Sequence, residues 1–149
     1  MTIAIPVWFA YLVTALVCGA AVWKGDPEER LIGACLGISC AVTVIARDMS
    51  WPRIQLATLG GDVLMLVLLF VISLRTKKFW PLPAAAFELL AVMTHVAKII
   101  DPQLHQWAYV TANVIWTYLI FAALGVGTWN AWRARRQLAM AEAAGVTRR

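Results

Sequence analysis

The chain has 149 residues, of which 62% are hydrophobic and 14% charged, and it carries a net charge of +5. So little charge excludes an ordinary soluble domain, whose surface alone would need more. The positive balance does not point to nucleic acid, because the basic residues sit at the ends of apolar runs rather than in one patch. Cys18, Cys35 and Cys40 lie inside apolar runs with no C-x-x-C pair. That argues against a disulfide framework or a zinc site and leaves them as small packing residues.

A helix crosses the roughly 30 Å of bilayer hydrocarbon with about 20 apolar residues. Five runs qualify in chain order: Ile3–Trp23, Leu31–Ala46, Ile54–Leu74, Leu82–Ile100 and Trp107–Trp132. No Lys or Arg precedes Lys24, so the first run lacks the basic region of a signal peptide and is expected to remain as a span. The second run is short and needs help from its flanks or from local thinning of the bilayer. It places Gly33, Gly37 and Ala41 at every fourth position, a smooth stripe that lets another helix approach closely. The first span offers Cys18, Gly19, Ala20 and Ala21 at similar depth, and a hairpin between the two spans is expected.

Polar residues recur along one side of each later span. The second carries Ser39, Thr43 and Arg47; the third carries Gln55, Thr58 and Asp62. The fourth carries Glu88, His95 and Lys98, before Asp101-Pro102 ends it. The fifth carries Tyr109, Asn113 and Thr117, and its helical composition continues past Trp132 until Gly145.

Charge gives an orientation. With five spans, ten of the thirteen basic residues fall on one side, among them Arg75, Lys77, Lys78, Arg133, Arg135 and Arg136. Arg47, Arg53 and Lys98 fall on the other. Basic residues stay cytoplasmic, so the N-terminus is expected outside and the C-terminus inside. Tryptophan follows the same pattern: Trp8, Trp51 and Trp107 at the outer boundary, and Trp23, Trp80, Trp129 and Trp132 at the inner one. Such belts suit an amphipathic indole. The expected fold is therefore an all-α, polytopic integral membrane bundle in the cell membrane, which is the inner membrane in a bacterium. Residues 1–133 would form one five-helix domain and residues 134–149 a short basic cytoplasmic tail near anionic lipid headgroups.

Counted by helical rise, Asp62, His95 and Asn113 lie on the order of 10 Å below the outer boundary. Arg47 and Lys98 sit above them, and Glu88 lies deeper. Ionisable groups inside lipid need a partner, water or a task. These residues and Thr117 predict an outward-facing polar cavity that binds a ligand or ion. The competing expectation is a closed plug in which Asp62 pairs with Lys98, Arg47 or His95. Two histidines, His95 and His105, raise bis-histidine haem ligation, with no supporting second signal. No Ser/His/Asp set, H-E-x-x-H or phosphate loop is present. Neither a catalytic residue, a metal nor a cofactor is expected. The leading functional expectation is a non-enzymatic accessory or scaffold protein that packs with a membrane partner or a second copy. The alternative is a small protein handling an ion, proton or solute around Asp62, Glu88 and His95.

Overall fold

A computed structural model describes the backbone of residues 7–45 and 51–143, and the side chains of residues 8–42 and 57–143. Five helices follow one another: α1 (Val7–Lys24), α2 (Pro27–Ile45), α3 (Trp51–Arg75), α4 (Pro81–Ile100) and α5 (Gln106–Ala143). The described residues contain no strand. Windows within α3, α4 and α5 are long and apolar enough to cross a membrane, and α1 holds a shorter apolar stretch. Large apolar side chains such as Leu64, Phe70, Leu82, Met93 and Val126 face outward, which in water would be a costly surface.

Local chemistry sets the helix ends. Gly25 closes α1, and its N–H donates to the Ala21 carbonyl at 2.9 Å. A Cβ there would lie 2.3 Å from that carbonyl oxygen and 2.6 Å from Glu29 Cβ, so only glycine permits so close a turn. Asp26-Pro27-Glu28-Glu29 then starts α2: proline suits the first helical position, and the Glu29 carboxylate accepts the Asp26 N–H at 3.0 Å. Pro81 opens α4. At its other end the Asp101 N–H donates to the Ala97 carbonyl, and Pro102 prevents continuation. At 38 residues, α5 is about 57 Å long and runs unbroken past residue 133.

The connections α1–α2 and α3–α4 lie together at one end, called the lower end here, and the α4–α5 connection lies at the upper end. In packing, α4 lies between α3 and α5, while α1 pairs with both α2 and α5. All five helices contribute to a core toward the lower end, built from Ala21, Ile32, Leu69, Ala84 and Leu124, each fully buried. The expected hairpin groove is partly present. A Cβ on Gly33 would come within 2.8 Å of Ala21 Cβ, and one on Gly37 within 3.9 Å of Cys18 Cβ. Ala41 is exposed.

Candidate functional site

Above the core, three helices meet through a hydrogen-bonded chain of side chains. His95 of α4 places Nε2 3.0 Å from Asp62 Oδ2 of α3. Its Nδ1 lies 2.9 Å from the Tyr109 hydroxyl of α5, and the two rings meet edge to face. His95 and Tyr109 are buried, whereas the Asp62 side chain is 25% exposed. The chain therefore opens to its surroundings at the carboxylate. A neutral imidazole donates from Nε2 to Asp62 and accepts the phenol proton at Nδ1. A protonated one donates from both nitrogens. Gain and loss of a proton thus reverse the Tyr109 bond without breaking the chain.

Glu88 lies two turns below His95 on the buried face of α4, between Ala84/Ala85 and Ala91/Val92. It is 4% exposed and has no hydrogen-bond or ion-pair partner among the described residues, although Asp62 acts on it electrostatically. Burial of a carboxyl without a partner is unusual and costly.

The other residues singled out by sequence do not join this chain. Lys98 folds back over the end of its own helix, donating to the carbonyls of Pro102 at 3.0 Å and Leu104 at 2.5 Å. The Asn113 amide donates to the Tyr109 carbonyl, and the exposed Thr117 hydroxyl donates to the Asn113 carbonyl, so both bond along α5 itself. Arg47 lies outside the described residues. Both ring nitrogens of His95 are engaged, which leaves none to face iron, and His105 is exposed. Among the described residues no group of His, Cys, Asp and Glu is arranged to hold a metal ion. Trp116, in the upper half of α5, satisfies its indole N–H on Thr94 Oγ1 at 3.1 Å.

A second polar assembly closes the lower end. The Lys78 ammonium, in the α3–α4 connection, donates to Asp26, Glu28 and Glu29, each at 2.9 Å. Glu29 is fully buried and also accepts the Trp80 indole N–H at 2.7 Å. Arg135 of α5 reaches the Lys24 carbonyl and lies 3.7 Å from Asp26. Hydrogen bonds from Lys78 hold the Asp26 and Glu28 carboxyls below their usual range. Partial burial alone would lower Lys78, but its hydrogen bonds to the three carboxylates outweigh that and raise it. Trp80 is consequently not a lipid-facing belt residue. It is 5% exposed, and its ring lies against Gly127, where a Cβ would come within 2.5 Å of it.

Beside this assembly lies a groove of about 500 Å³ between α4 and α5. It is mostly apolar, and it sits at the end opposite the expected polar cavity.

Sequence reasoning missed Glu29 and its partners because basic residues alone were counted at this end. The signal was present: Asp26-x-x-Glu29 before an apolar run is a capping-box pattern, which brings the glutamate back over the turn. Comparison with protein-family models, curated proteins and solved structures finds no match to this chain.

Proposed function

We propose that this is a five-span protein of the cell membrane, with its N-terminus outside and its basic tail in the cytoplasm, that handles protons through Asp62, His95, Tyr109 and Glu88. Three apolar helices, lipid-compatible outward faces and the basic residues gathered at the lower end support the placement. On this reading α1 and α2 supply the remaining spans, and the lower end meets anionic headgroups of the cytoplasmic leaflet.

One observation carries the proton reading: a direct contact chain, buried at His95 and Tyr109 and open at Asp62, links three titratable side chains on three helices. Contacts of 3.0 and 2.9 Å leave no space between the groups for a hydrated ion or solute, so a proton is the species such a chain can pass. Asp62 is the exposed end of the chain. Glu88, about 10 Å further along the same helix face, is the next acceptor, reached through water or side-chain rotation. In vesicles loaded with a pH-sensitive dye, wild-type protein is expected to admit protons when an inward-negative potential is applied. Asp62→Asn and Glu88→Gln should each abolish this uptake. Wild-type uptake with Glu88→Gln unimpaired would contradict the reading.

The accessory or scaffold reading keeps one supporting observation. The same chain satisfies both His95 nitrogens and ties three helices, as a clamp fixing helix register would. In that case Asp62→Asn lowers thermal stability, wild-type vesicles admit no protons, and the protein co-purifies with a membrane partner or a second copy.

A further inference from the structure

The groove between α4 and α5 has a graded lining. Phe87 and Leu119 lie at its upper end, Ala122, Ala123 and Val126 along its length, and Asn130, Lys78 and Asp26 at its lower end. From Leu119 to Ala134 it follows α5 for about 22 Å, somewhat more than the roughly 15 Å of hydrocarbon in one leaflet. Trp129 and Trp132 mark the headgroup level near its polar end, and Lys24 and Arg136 lie over the Trp132 ring.

Its width identifies the kind of occupant. Its free volume of about 500 Å³ is spread over that whole length, so the groove is long and narrow. A helix is at least about 10 Å across, so another protein's helix lies only across the mouth of so narrow a groove. An extended hydrocarbon chain fits inside. The polar end then selects the headgroup. Lys78 is saturated by three carboxylates and cannot also serve a phosphate. Arg133 is exposed, lies one helical turn beyond Asn130, and has no ion pair among the described residues.

We infer that this groove is a lipid-binding site that takes one acyl chain of an anionic phospholipid of the lower leaflet, with the headgroup phosphate at Arg133. The second chain of the lipid stays in the bilayer. The inference rests on the membrane placement proposed above and is independent of proton handling.

Two side-chain changes act on the groove without touching the buried core. Ala122→Phe projects from an exposed position of α5 into the groove and fills it. Arg133→Gln removes the proposed phosphate contact. The full-length protein in mild detergent, supplied with dioleoyl phosphatidylglycerol or dioleoyl phosphatidylcholine, is read by native mass spectrometry for retained lipid. Wild type is expected to hold one phosphatidylglycerol in preference to phosphatidylcholine. Ala122→Phe should lower its retention about tenfold, and Arg133→Gln should erase the headgroup preference while chain binding persists. Phe87→Ala, which removes a wall instead of filling the space, should also weaken retention and guards against misfolding of the first variant. Equal retention by wild type and both groove variants would overturn the inference, as would a wild-type dimer that Ala122→Phe dissociates. Carbonate extraction of cell membranes separates the two levels. A protein released by carbonate refutes the membrane placement, and one that stays but loses no lipid on Ala122→Phe refutes the groove alone.

Discussion

The upper and lower polar assemblies use similar residues in opposite ways. At the lower end three carboxylates, Lys78, Arg135 and the Trp80 indole bond one another several times over, and every charge there has an opposite partner. The upper chain is sparing: one carboxylate, one imidazole and one phenol in single file, with Glu88 left unpaired below. Redundant pairing suits a structural lock, because losing one bond leaves others. A single-file chain with an unpaired acid has no such redundancy, and on the reading proposed above it moves a proton. The difference between them is one of redundancy as well as place.

Breaking the lower assembly should have the largest effect on stability. Glu29→Ala strands the Trp80 N–H and the Asp26 N–H and removes a buried counter-charge from Lys78. A loss of about 3 kcal/mol is expected, read as a lower midpoint in thermal unfolding followed by tryptophan fluorescence. A change below about 1 kcal/mol would show that the lock is ornamental. His95→Leu removes both bonds of the upper chain, but Asp62 is partly exposed and can be resolvated, so a smaller loss of about 2 kcal/mol is expected. Should His95→Leu prove costlier than Glu29→Ala, the assignment of lock and relay would have to be exchanged.

The pH response sharpens the contrast with the smallest effect. Asp26 and Glu28 are held below their ordinary values of 3.8 and 4.5 in the folded protein. Their contribution to stability is complete above about pH 4.5 and drains away as pH falls below 3.8 through their lowered folded values. Lys78 is raised, so its contribution is complete below its ordinary 10.5 and is lost only as pH climbs beyond that. The lower lock should thus be indifferent to pH from about 5 to 10, and Lys78→Met should remove the acid-side loss. Unfolding midpoints in wild type and Lys78→Met, measured from pH 10 down through the acid limb below about pH 4, test both statements.

Much of the helical layout was legible because apolar runs, Pro81 and Asp101-Pro102 mark their own boundaries. The depth count placed Asp62 and His95 at one level, since helical rise converts residue number into height. What it could not give was azimuth. Tyr109 was visible as one of a polar stripe, yet spacing alone did not aim its hydroxyl at His95. Trp80 stands at the right height for an interfacial belt, but height does not separate a ring facing lipid from one facing Gly127. Lys98 was drawn into the site because its long, flexible stem was not allowed to return to its own helix end. Glu29 was missed because a charge next to a loop reads as solvated until the fold closes over it.

The central claim is that the upper chain carries protons and the lower assembly carries stability. It is tested most directly by measuring proton uptake per folded molecule in vesicles containing Asp62→Asn beside vesicles containing Glu29→Gln. Asp62→Asn should abolish uptake while the protein remains folded, and Glu29→Gln should lower the unfolding midpoint while uptake per folded molecule stays at the wild-type rate. Equal loss of uptake in both variants, or undiminished uptake in Asp62→Asn, would contradict it.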